Sequence, residues 1–117
     1  MKVTKTYFML MAADVARGAA FYKKVFDLKP GYESEHWSEL MQNGTTIALH
    51  SGAPVGERDT GLGFYVDDID AACRAVASAG GKIAKQPEQR PGEGIILATA
   101  VDSEGNRISI TQESPRT

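Results

Sequence analysis

The 117-residue chain has one cysteine, two histidines and five prolines, and no apolar run approaches the roughly 20 residues that a bilayer-spanning helix needs. Each scarcity excludes something. Cys73 has no partner for an internal disulfide, and its place among apolar residues reads as a buried thiol without a chemical duty. The opening MKVTKTYFMLMAADV alternates in polarity and does not form a signal-peptide core, so a cytoplasmic protein is expected. An excess of charge is also missing. Thirteen Lys and Arg against fifteen Asp and Glu leave a formal charge of −2, which points away from nucleic acid and membrane surfaces as partners.

What is present is ordinary globular composition, 42% apolar and 24% charged, in enough chain for one domain over residues 1–117. The order of residues repeats. Asp14 and Asp68 follow similar alternating stretches, YFMLMA and GLGFYV, and GTTIALHS is echoed by GNRISITQ, aligning Gly44 with Gly105, Ile47 with Ile108 and Leu49 with Ile110. Each half begins with a strand and an aspartate able to cap a helix. Val15, Ala19, Tyr22 and Phe26 then form one apolar helical stripe, and Ile69, Cys73 and Val76 a second that Gly80 and Gly81 end. Gly18, inside the first helix, costs about 1 kcal/mol relative to alanine, which implies close packing there.

Three strands are expected after each helix, near 31–35, 37–42 and 45–50 and near 82–86, 94–100 and 107–112. The chain therefore reads as two βαβββ modules, about 5–52 and 61–113, joined by a linker near 53–60. PEQRPGEG reads as an exposed loop, AGGKI as a helix stop and not a phosphate loop, and the closing ESPRT as frayed.

Four segments in order, DVARGAAFYKKVFDL, GTTIALHSG, GLGFYVDDID and DSEGNRISI, resemble the vicinal oxygen chelate superfamily, which contains glyoxalase I, the bleomycin-resistance proteins and the extradiol dioxygenases. The resemblance covers about residues 5–112. It implies an α+β fold in which the two modules form an incomplete eight-stranded barrel around a cavity, with helices outside, and it implies a homodimer. It also implies four cavity positions where metal-using members place His, Gln or Glu, and here these fall on Tyr7, Ala48, Gly61 and Ser109. None is a good ligand for a catalytic divalent ion, which generally needs about three His, Asp, Glu or Cys donors. No metal and no other cofactor are therefore expected.

Side chains alternate along strands, so with Phe8, Leu10, Ile47, Leu49, Leu62, Phe64, Ile108 and Ile110 toward the helices, the opposite residues face the cavity. These are Tyr7, Met9, Met11, Trp37, Glu39, Met41, Ala48, His50, Gly61, Gly63, Tyr65, Ser109 and Thr111. Arg107 alternates inward but, being close to a turn, is expected to reach solvent or an acidic neighbour. The set is apolar and aromatic with a few polar tips, as pockets for organic ligands are. It reads as the site of a metal-independent binding protein for an aromatic or antibiotic-like molecule, with Tyr7, Met9, Trp37, Met41, Ala48, His50, Gly61, Tyr65 and Ser109 in contact. The alternative is a metal-free lyase, isomerase or cyclase with His50 or Glu39 as general base, the latter with a pKa raised by desolvation. Metal-dependent lyase or dioxygenase chemistry follows from the resemblance alone and is discounted on the four positions.

Overall fold

The computed structural model describes residues 1–114, so Pro115–Thr117, most of the segment expected to fray, lie outside the described residues. Each half forms β-α-β-β-β: β1 (Tyr7–Ala12), α1 (Val15–Phe26), β2 (Lys29–Glu33), β3 (Trp37–Gln42) and β4 (Thr45–Ser51), then β5 (Arg58–Tyr65), α2 (Ile69–Ser78), β6 (Lys82–Arg90), β7 (Ile95–Val101) and β8 (Asn106–Glu113). Both sheets follow one plan. Their orders are β1-β4-β3-β2 and β5-β8-β7-β6, with the first and last strand of each module parallel and the other pairs antiparallel.

The helix boundaries follow from local chemistry. Asp14 Oδ1 accepts the Arg17 N–H at 3.0 Å and Asp68 Oδ1 accepts the Ala71 N–H at 3.0 Å, so each aspartate caps its helix. Chain reversal after α2 requires glycine twice. Gly80 has φ +96°, and a Cβ on Gly81 would stand 2.5 Å from the Val101 carbonyl oxygen. At Gly18 a Cβ would meet Glu104 Cγ at 3.1 Å and Leu49 Cδ1 at 3.4 Å, which accounts for a glycine within α1.

Leu10, Leu40, Ile47, Leu49, Leu62, Ile108 and Ile110 are buried beneath the helices, so strand register follows the alternation of the sequence. Full burial of a side chain of this size contributes roughly 1.5–3 kcal/mol. One core joins both modules: Phe26 of α1 stacks on Phe64 of β5 with centroids 4.0 Å apart, and Tyr22 lies 6.2 Å from the same ring.

The α+β class and the paired βαβββ modules are those the resemblance implies, but within one chain the sheets do not close into a barrel. The modules meet through their helix-bearing sides, and no strand of one described sheet pairs with a strand of the other. The opposite faces of both sheets stay open. Cα dimensions of 45 × 37 × 21 Å describe the resulting slab.

PEQRPGEG needs correction. β6 continues through Pro87 to Arg90, because at a sheet edge Pro87 can turn its missing donor outward and irregular pairing with β7 absorbs the mismatch. β2 begins at Lys29, two residues before the expected start, and β5 already begins at Arg58 within the expected linker.

Candidate functional site

The open face of the first sheet gathers most of the expected contact residues. Strand register places Met9, Ala48 and Glu39 in one row across β1, β4 and β3, and Met11, His50 and Trp37 in the next. Ala48 is completely buried although it belongs to this face. Its methyl leaves room for larger neighbours to meet over the strand, and Tyr7 and Trp37 do so edge to face, with centroids 5.5 Å apart and planes at 80°. His50 meets the same indole at 6.1 Å and 83°. Tyr7 is 54% exposed and Met9 45%, so this aromatic and thioether surface is open in a single chain.

Two polar groups anchor it. Trp37 Nε1 donates to Glu39 Oε2 at 2.8 Å, and Lys5, from the irregular segment before β1, donates to Glu39 Oε1. The Lys5 hydrogen bond, followed by that of Trp37, holds the Glu39 carboxyl below its ordinary range. The rise expected from desolvation is thus reversed by a cationic neighbour, and a carboxylate stabilised in this way is a poor general base. His50 is better placed. Its Nδ1 lies 2.6 Å from the Ser51 carbonyl oxygen, which can only accept, so Nδ1 carries the hydrogen and Nε2 keeps its lone pair in the neutral ring. His36 turns away and meets Ser51 Oγ at 3.1 Å.

Gly63, Tyr65 and Ser109 occupy the corresponding open face of the second sheet, with Gly63 opposite Ser109. Gly61 differs from expectation in its reason for being glycine. It lies where β5 slips register against β8 and has φ +78°, a bulge that a side chain would strain. Tyr65, 70% exposed, also borders a cleft of about 210 Å³ between the modules with Leu28, Gln42, Asn43, Ile47 and Leu62. Arg107 pairs with Asp59 and Glu57, whose carboxylates raise its pKa, in keeping with its place near the turn.

The four family ligand positions thus carry a phenol, a methyl group, no side chain and a hydroxymethyl, on two sheets that one chain does not bring around an enclosed space. Ala48 and Gly61 offer no side-chain donor, so this set does not fit a divalent ion. Among the described residues no three or more His, Cys, Asp or Glu side chains come close enough together to hold one elsewhere.

DSEGN serves a purpose that spacing does not reveal. Asp102 Oδ1 accepts the backbone N–H groups of Glu104 and Asn106 at 2.8 and 2.9 Å, and Oδ2 accepts the Tyr22 hydroxyl at 2.6 Å and Asn106 Nδ2 at 2.9 Å. Asn106 Nδ2 also donates to the Met11 carbonyl of β1 at 2.8 Å, and Glu104 accepts the Asp14 N–H at 2.9 Å and Arg17 Nε at 2.7 Å. The turn between β7 and β8 is a polar lock on the first module. Burial, reinforced by Asp102, drives the Tyr22 hydroxyl well above its usual pKa. Burial would raise Glu104 too, but Arg17, the Asp14 N–H and Ser103 together bring it below the ordinary range.

The sequence model of the Glyoxalase/Bleomycin resistance protein/Dioxygenase superfamily matches residues 6–110, and the chain belongs to that superfamily. Among solved structures, it is similar to a glyoxalase/bleomycin resistance protein/dioxygenase family enzyme from Burkholderia phytofirmans, at 19% identity and TM-score 0.78, over 92% of this chain and 96% of that one. A genomically encoded fosfomycin resistance protein from Listeria monocytogenes gives 17% identity and TM-score 0.78, over 97% and 96%; the same fold there has also been solved with Mn(II) and sulfate. An integron cassette protein from the mobile metagenome of V. cholerae gives 26% identity and TM-score 0.70, over 97% and 98%. No curated sequence matches the chain. Among the described residues no helix is long and apolar enough to cross a membrane.

Proposed function

We propose that this protein is a metal-independent binding protein for a flat, aromatic or antibiotic-like organic molecule, held on the open face of β1, β4 and β3. The observation that carries this reading is the Tyr7–Trp37 ring pair, which sets one ring at a position matching a family ligand site, Tyr7, beside a second such position, Ala48, whose methyl cannot chelate. Met9, Met11 and Met41 supply adaptable apolar contact around it. A homodimer completes the site, the second sheet of a partner copy covering this face with Gly61, Gly63, Tyr65 and Ser109. Exposed Tyr7, Met9 and Met41 on this face, and exposed Tyr65 on the second sheet, support such a cover, since exposed apolar patches mark interaction sites. A cytoplasmic location, compatible with a single unpaired thiol, belongs to the same proposal.

His50 supports a second reading, a metal-free enzyme in which Nε2 takes a proton from a ligand lying on Trp37 and the Tyr7 hydroxyl or Ser109 steadies developing negative charge. The experiment is titration of aromatic compounds against the fluorescence of Trp37, the one tryptophan, with mass analysis of the recovered compound. Saturable quenching with the compound intact supports binding. Turnover that disappears in His50→Ala supports the enzyme, and no response across the panel overturns both.

A further inference from the structure

We propose that Glu39, at the edge of the Tyr7–Trp37–His50 ring cluster, is a cation subsite filled by Lys5 in the free protein, and that the ligand carries an organic cation on a flat ring system which displaces Lys5. This rests on the reading of the β1–β4–β3 face as the binding face and names the chemical class it takes. Glu39 divides its two oxygens between different tasks. Oε2 holds the Trp37 indole N–H at 2.8 Å and so orients the ring, while Oε1 faces a cation, at present the ammonium of Lys5.

That ammonium comes from the irregular, exposed segment before β1, and its side chain is 50% exposed against 19% for Glu39. With the ammonium end half exposed, the pair ties up a mobile lysine that water can take over, so one cation can replace another at the better-covered carboxylate. Around the carboxylate, Tyr7 and His50 each stand nearly perpendicular to Trp37, and ring faces attract organic cations as well as apolar groups. An anionic ligand fares differently. To pair with Lys5 it must share the ammonium with Glu39, which sets two negative groups side by side. Across on the second sheet, Arg107 is already held between Glu57 and Asp59. A cation that takes the place of Lys5 keeps the Glu39 carboxylate paired, whereas a neutral ligand gains nothing from it.

The test uses the full chain and two probes of nearly equal shape, N-methylquinolinium and quinoline, at a slightly alkaline pH where quinoline is neutral. The Trp37 indole N–H gives a single amide-type NMR signal that reports on the Glu39 contact directly. The wild type is expected to prefer the cation, and Lys5→Ala to bind it about three- to fivefold more tightly while binding of quinoline stays unchanged. Glu39→Gln, which retains an acceptor for the indole, is expected to bring the two affinities within about twofold. Equal affinities in Lys5→Ala, or weaker binding of the cation there, overturn the cation subsite while leaving the face as an aromatic site. Failure of both probes to move the indole signal in wild type and Lys5→Ala overturns the subsite together with the reading beneath it.

Discussion

Tyr22, Asp102, Asn106 and Glu104 show how much of a sequence motif can be structural. Tyr22→Phe removes one of the donors to a buried carboxylate and is expected to cost about 1–3 kcal/mol, the penalty for leaving a buried polar atom underserved. Asn106→Ala is expected to cost more, because the same nitrogen serves both Asp102 and the Met11 carbonyl. Chemical denaturation of the two variants checks the order. Glu104 makes a pH prediction. Its folded pKa is depressed, so its contribution is complete above the unfolded value of about 4.3 and is lost as pH falls through the lower folded value. Thermal melts of the wild type should therefore fall below about pH 4. Glu104→Gln should be less stable at neutral pH and show a shallower decline over the acid range; equal acid slopes would refute the assignment. The lock was not legible in DSEGN, because its partners Tyr22, Arg17 and Met11 lie in the other half of the chain. Lys5 left no signal either, being one lysine in an irregular segment.

At the scale of elements, most of the architecture was legible. Asp14 and Asp68 cap their helices because an aspartate before an apolar helical stripe has few other uses, and alternation in TTIALH and NRISIT predicted the buried side of β4 and β8. What failed were breaker residues at edges. Pro87 reads as a loop signal, yet an edge strand tolerates it, and the bulge at Gly61, with φ +78°, adds a backbone reason for glycine that alternation does not reveal. Turn geometry is correspondingly strict at Gly81. Gly81→Ala would push a methyl against the Val101 carbonyl, Phe21 and Val76, backbone and core groups with nowhere to go, and is expected to lower stability by about 1–3 kcal/mol. A thermal melt indistinguishable from wild type would show that the α2–β6 connection can shift.

The whole molecule presents two open sheet faces on opposite modules joined through a shared core, an arrangement complete for folding and incomplete for enclosing a ligand. Alternation revealed which residues share a face, but periodicity within one strand says nothing about whether the faces meet within a chain or between chains. A dimer that completes the site couples association to binding, so saturating aromatic ligand is expected to shift sedimentation toward the dimer at protein concentrations where the free chain is mixed. A ligand-bound monomer would confine the site to the first sheet. The central claim is that recognition needs no metal, and calorimetry of chelator-treated protein tests it most directly. An aromatic ligand found by Trp37 quenching should bind with the same affinity before and after addition of Mn(II), Zn(II) or Ni(II). Binding that appears only once a metal is restored would contradict it.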